Sequence, residues 1–522
     1  MALSKLQKGL TGLFIAFIAV IAIGYGGMRY LENAVVEAIR SWAANTPKNA
    51  HVELGDVTYT LLENHLVLKN IRADIVGVDG QTRVVSLETL DVQNPGTTFL
   101  SLMRDPNSEI KEAEIPVADA VTLTGVSAGP DPLTTVGSRS FKNIRVEAAP
   151  VKALLQNASG TDAIRAARML VYALSYSEGL ALDVSAAGKE LPYTVKARQS
   201  REVNYAKGHL DSSSVTGISL SVRDKEVLSI AEAGVENINL PPREVFEKLI
   251  SAKPDISDEE ALALLREVFG GPRPLLGALH LNDIKSQNSL LGLSIAKVTF
   301  ANPSTDPFSF DVTVEHAKAP ASLIPQLQLL SIMGVKDLDA SAAFSLSLPA
   351  KDGAFTSSGS LSLAELGTAD MAFKGVMPRE ALDKVFQMSV KAATPAEDEA
   401  IERFMDENLK FTRIEIGYAD EGLLPRLGLI GQQLMGLTTD QCIALAKQYA
   451  RENAGQAASG EGMPKLMDFI DRPGAVRIIF DSPKPMTADE IEAASGDSPL
   501  FKLEVSPGPK TAQELISELM KK

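Results

Sequence analysis

One cysteine, Cys442, serves the whole chain of 522 residues. No disulfide can therefore form within it, and an exported fold of this kind must stand on its core rather than on covalent staples. Histidine is almost as scarce. The five present are His51, His65, His209, His280 and His316; none falls at HExxH spacing, and a single cysteine rules out CxxC zinc sites. His51-x-Glu53 has half of a zinc-deaminase signature without its PCxxC partner. Basic clusters are missing too. With 66 acidic against 51 basic residues and a net charge of -15, the chain has no Lys/Arg run to displace counterions from phosphates, so no nucleic-acid partner is expected. There is no P-loop, no GxGxxG after a strand and no Asp-rich EF-hand loop. Aromatic content of 5% leaves little surface for stacking sugars. These absences predict a protein that is not an enzyme and has no cofactor, metal or catalytic residues.

One pattern runs the other way. Gly125-Val126-Ser127-Ala128-Gly129 is GxSxG, which in α/β-hydrolases holds the serine on a strained strand-to-helix turn. Val121 to Thr124 could be the strand, but Pro130-Asp131-Pro132 follow where the helix should begin, and proline there argues for a loop. Ser127 is read as a turn residue, and a serine hydrolase stands as a second alternative function. The acidic runs Asp258-Glu259-Glu260 and Glu397-Asp398-Glu399 sit at helix starts, where the helix dipole accounts for them. Cys442 follows Thr438 and Thr439 in a helical pattern and is read as a structural thiol.

The N-terminus is the most distinctive feature present. No charged residue occurs from Gly9 to Met28, and Leu10, Leu13, Phe14, Ile15, Phe17, Ile18, Val20, Ile21 and Ile23 are strongly apolar. Together these contribute roughly -3 to -5 kcal/mol to insertion, and twenty helical residues span about 30 Å. Lys5 and Lys8 precede the segment with no acid, so the positive-inside rule predicts a cytoplasmic N-terminus and a periplasmic body on a single-pass inner-membrane anchor. Met28, Leu31, Val35, Ile39 and Trp42 recur at steps of three and four, predicting an amphipathic extension, with Tyr25, Tyr30 and Trp42 at or beyond the interfacial belt. A cleavable signal peptide is the rival reading, since Ala22-Ile23-Gly24 is a small-x-small site.

Beyond Pro47 the pattern turns to strands. His51 to Tyr59 and Leu66 to Ile75 alternate, but apolar positions 66 and 68 give way to 71, 73 and 75, which requires a bulge or bend near Asn70. A short signature recurs as Lys69-Asn70-Ile71-Arg72, Lys142-Asn143-Ile144-Arg145, Glu236-Asn237-Ile238-Asn239 and Asn282-Asp283-Ile284-Lys285. Repeated strand units and chance similarity both remain open as its origin. The clearest meander lies between Leu338 and Gly375. Leu338, Ala340, Ala342, Phe344, Leu346 and Leu348 share one face, and Phe355, Leu361 and Leu363, then Met371 and Phe373, continue it across two more strands. This is the candidate apolar face. Ser257, Thr438, Thr487 and Thr511 each open a capping box, and further helices are expected over 162–176, 243–251, 379–388, 396–408 and 423–434. The expected class is α+β: a single N-terminal transmembrane helix, then an elongated β-rich body of twisted antiparallel sheets with interleaved covering helices. The expected division is 1–46 for tip, span and extension, 47–300 for a β-rich region with helical insertions, and 301–522 for the meander with C-terminal helices.

The phrase HVELGDVTYTLLENHLVLKNIRADI directly after the span resembles the opening of AsmA-type proteins of the Gram-negative inner membrane, over about the first 95 residues. YADEGLLPRL and FIDRPGAVRIIFDSPKPM near the C-terminus are similar to other uncharacterised anchored proteins of such bacteria. The resemblance implies a role in envelope or phospholipid homeostasis and lipid movement between membranes. Two non-catalytic readings follow: a protein that binds phospholipid or another apolar ligand along a curved sheet, or an interaction scaffold for envelope proteins whose sheet face is closed by its own helices.

Overall fold

The computed structural model describes residues 50–61, 63–76, 82–104, 109–129, 133–148, 170–184, 193–241, 274–286, 292–305, 308–321, 333–348, 353–378, 395–453, 462–494 and 499–519, with isolated residues elsewhere. Nineteen antiparallel strands dominate, with 61% strand against 23% helix. This corrects the expected α+β class. The fold is a large antiparallel sheet, and among the described residues no helix is long and apolar enough to cross a membrane. The expected anchor, Leu10 to Tyr25, lies outside the described residues. The described helices are few: α1 (Thr97–Arg104) follows the fourth strand, and the longer ones come only after Pro395. The chain divides into two compact units, Met1–Ser257 with Leu264–Leu281, and Asp258–Ala263 with Asn282–Lys522.

In unit 1, β1 (Ala50–Glu53) and β2 (Val57–Thr60) both pair with β3 (His65–Val76). A meander then runs through β4 (Thr82–Gln93), β5 (Glu114–Gly129), β6 (Leu133–Glu147), β7 (Leu170–Val184), β8 (Tyr193–Ala206), β9 (His209–Val222) and β10 (Lys225–Asn239), each strand pairing with the next. One face of β1 to β6 is closed into a core. Leu66, Leu68, Leu87, Leu90, Ile115 and Ile144 are fully buried there, beneath Phe99 from α1. Each such side chain contributes about 1.5–3 kcal/mol of burial.

The strands are long because they bend. Asn70 in β3 has φ +53°, and the buried set passes from Leu66 and Leu68 to Ile71 and Ala73 across it. The bend expected there is present, and pairing with β4 keeps one register across it. The recurring signature has the same conformational origin: Asn143, Asn237 and Asp283 are left-handed at φ +52° to +53°, each just before an isoleucine. Asn tolerates this region because its short amide bonds locally. Asn204 in β8 does the same, and glycines at 125, 179 and 217 hold φ +63° in β5, β7 and β9. At Gly125 a side chain would also strike Glu88, whose Cγ lies 2.4 Å from where a Cβ would sit. Each such left-handed residue bends its strand and advances the inward set by three residues instead of two. That step explains one error. The helix expected over 162–176 is overturned for 170–176, which begin β7; there the inward residues are Tyr172, Ser175, Ser177 and Leu180, and steps of three imitate a helix.

In unit 2, β12 (Ser294–Thr305), β13 (Phe308–Pro320), β14 (Asp337–Leu348), β15 (Ala354–Leu363), β16 (Gly367–Val376), β17 (Lys410–Asp420), β18 (Ala475–Met486) and β19 (Phe501–Ser506) pair in sequence order. The boundary between the units falls within β11 (Leu276–Ser286). The helices of unit 2 are α2 (Pro395–Asn408), α3 (Leu423–Met435), α4 (Thr439–Asn453), α5 (Gly462–Asp471), α6 (Ala488–Ala493) and α7 (Ala512–Leu519). The capping boxes at Thr438, Thr487 and Thr511 form; the one at Ser257 lies outside the described residues. Cys442 packs α4 onto α3, its thiol 3.5 Å from the Gly428 carbonyl.

Candidate functional site

Residues directly opposite on antiparallel strands share a face. Phe344 faces Gly359, Gly359 faces Met371, Met371 faces Ile416, and Ile416 faces Ile478. An apolar row therefore crosses β14 to β18 at right angles to the strands. A parallel row two residues away contains Ala342, Leu361, Ala369, Tyr418 and Val476. The centre of this face is open: Phe344 is 41% exposed, Leu361 and Met371 48%, Ile416 53% and Ile478 38%. Side chains of this size are exposed here in a contiguous patch rather than singly.

The reverse face belongs to water. Arg477 reaches Asp370 at 3.1 Å and Glu415 at 3.6 Å, and Arg413 bonds Glu415 and reaches Asp481 at 3.2 Å. The Glu415 carboxylate raises the Arg413 pKa, and Lys502 lowers that of Glu504. Ser345, Ser358, Ser360 and Thr368 share that side with Ala343, Ala372 and Ile479. One sheet thus presents a lattice of charge and hydroxyls on one side and uncovered hydrocarbon on the other.

One end of the apolar face is covered by the chain itself; at the other an aromatic cluster continues the face, with Phe308 and Phe344 each 41% exposed. At the β19 end α5 lies against β18 and β19, and buried Phe469 meets the Tyr418 ring edge-on at 6.5 Å. Phe480 and Leu503 are buried there. Burial, together with Asp420, raises the Tyr418 pKa, so its hydroxyl stays protonated and donates to the Leu366 carbonyl and Asp420. At the opposite end Phe310 gathers Phe300, Phe308 and Phe344 at centroid distances of 5.7–6.2 Å.

All eleven residues of the expected face lie on β14, β15 and β16, on one side of the sheet. They are not equally available. Leu338 and Leu363 pack against a small core of Ala321, Met333, Val335 and Leu366. Phe355 is buried and, like Phe373, meets Phe411 at 6.0 Å. Ala340, Leu346 and Leu348 are half-buried, and Ala342 is exposed beside Phe344. Sequence reasoning missed Ile416 and Ile478, although Ile414-x-Ile416-x-Tyr418 and Val476-x-Ile478-x-Phe480 alternate clearly.

Ser127 is corrected. It lies inside β5 rather than in a turn, with its Oγ 2.7 Å from Ser86 Oγ on β4. Gly125 of the GxSxG pattern is a left-handed residue within this strand, which runs on to Gly129, so no strand-to-helix elbow exists at Ser127.

Among comparisons with known proteins, a family model described as "Uncharacterized protein" matches residues 360–505. No curated protein and no solved structure matches the chain. The matched segment begins in β15 and ends in β19, and so contains Leu361, Met371, Ile416 and Ile478.

Proposed function

We propose that this chain is a non-catalytic envelope protein that binds an apolar ligand, the acyl chain of a phospholipid, across the open face of β14 to β18. The observation that carries this reading is the row Phe344, Gly359, Met371, Ile416 and Ile478, uncovered at its centre and backed by a charged face. Four strand spacings of about 4.8 Å make the row about 19 Å long, on the order of an extended acyl chain. Each methylene removed from water there contributes about 0.8 kcal/mol. The uncharged stretch from Gly9 to Met28 supports a place at the inner membrane with the body in the periplasm, and the likeness to AsmA-type proteins supports lipid handling.

A scaffold function is the second reading, favoured by a different patch. Leu427, Leu434 and Met435 of α3 and Leu445 and Tyr449 of α4 are 47–67% exposed, an apolar surface suited to another envelope protein.

Lipid extraction with mass spectrometry of the purified full chain separates the two. The ligand reading expects co-purifying phospholipid near one per chain, falling at least fivefold in the double variant Met371→Asp, Ile416→Asp. Lipid-free protein, or a load unchanged by those substitutions, would reject it.

A further inference from the structure

The inward face of unit 1 is largely apolar, but its middle is polar. On β6, β7 and β8 Arg139 stands opposite Ser177 and Ser177 opposite Ser200, while Ser175 stands opposite Glu202, which faces Ser213 on β9. Ser175 and Ser177 are each 1% exposed. Around them on the same unit lie Val136, Phe141, Tyr172, Leu180, Ala197 and Val215. Arg139 donates Nη2 to Glu202 Oε2 at 3.1 Å and Nε to Ser175 at 3.4 Å, and its guanidinium lies 4.8 Å over the Phe141 ring. Tyr172 donates its hydroxyl to the same Glu202 oxygen at 2.7 Å. Burial, then the Glu202 charge, raises the tyrosine pKa and keeps that proton in place.

An ion pair on an apolar surface is a poor source of stability, because taking both charges from water offsets most of their attraction. This pair is also incompletely used. The hydrogen bonds named above occupy Nε and Nη2 of Arg139 and Oε2 of Glu202; among the described residues Nη1 and Oε1 make none. Their side chains are 27% and 24% exposed, enough for a ligand to reach.

We infer that this polar island is a headgroup site for a zwitterionic amphiphile, with an anionic phosphate on Arg139 Nη1 and an ammonium on Glu202 Oε1. A head carrying only one charge meets a repulsive partner at this neutral pair; a head carrying both signs meets two attractive ones. The surrounding hydrocarbon requires the head to arrive with an apolar chain, which lies along Leu180, Ala197 and Val215. The inference rests on the reading of the protein as a lipid binder, but it concerns a separate face.

The test uses full-length protein and probes of equal acyl length: lysophosphatidylethanolamine, lysophosphatidylglycerol and monoacylglycerol, with free phosphoethanolamine as the chainless head. The zwitterionic probe should bind about tenfold more tightly than the other two amphiphiles and at least a hundredfold more tightly than the free head. Glu202→Gln, which retains an acceptor for Tyr172, should bring the two phosphate-bearing amphiphiles to equal affinity while leaving monoacylglycerol unchanged. Should that variant fail to fold, Arg139→Gln is read instead, and should abolish the preference for the zwitterionic probe over monoacylglycerol. Equal binding of all three amphiphiles by the unmodified protein, a preference that survives in the variant, or tight binding of the free head would overturn the inference alone. Binding of none would overturn the lipid reading with it.

Discussion

At the residue scale the fold depends on a handful of backbone positions that most side chains resist. Left-handed φ costs an ordinary L-residue about 1–3 kcal/mol, and a β-branched one stands at the upper end. Asn143, at φ +53°, lies between Phe141 and Ile144, both in the core. Asn143→Val should therefore lower stability by about 1–3 kcal/mol in urea titration, and Asn143→Gly by less than about 1, the cost of glycine's extra freedom in the unfolded chain. Equal losses in the two variants would show that the backbone angle is not the cause. These positions were partly legible. The step from Leu68 to Ile71 betrays the bend at Asn70, and the Asn-Ile pairs at 143 and 237 betray two more. Gly125, Gly179 and Gly217 gave no comparable signal, since an isolated glycine in a strand pattern fits several local structures.

Elements were legible in proportion to how local their causes are. The capped helices at Thr438, Thr487 and Thr511 announced themselves because each box is written in four adjacent residues. Strand β7 did not. Its inward positions include Ser175 and Ser177, so the polar island erased the alternation that would have marked it. The α7 cap has a pH signature. The Thr511 backbone N–H, at 2.8 Å, and then the Thr511 hydroxyl hold the Glu514 carboxyl below its ordinary value of 4.5. A carboxyl depressed in the folded state stabilises above its unfolded pKa, and that contribution is lost as pH falls through the folded value. The melting temperature of the wild-type chain should exceed that of Glu514→Gln at pH 6, and the gap should close on acidification below about pH 4. A gap that is constant from pH 6 to pH 3 would show that the ionised cap contributes nothing.

At the scale of the whole molecule, two units of antiparallel sheet keep apolar and polar sides apart over many strands, each unit in its own way. Unit 1 closes one end of its apolar side under Phe99 and interrupts the remainder with an ion pair. Unit 2 covers its apolar side at the β19 end and leaves the middle bare. The β14 to β16 part of that face was readable from alternation alone. Its extension through Ile416 and Ile478 depends on which strand pairs with which, and that is fixed by contacts far apart in sequence.

The most direct test of the ligand face uses two adjacent residues of β17 that point to opposite sides. A photoreactive phenylalanine analogue placed at Ile416 faces the apolar row, and one at Glu415 faces the charge lattice. Irradiated in cells with labelled phospholipid, the chain should crosslink to lipid from position 416 and not from 415. Labelling equal at the two positions, or absent from 416, would contradict the account.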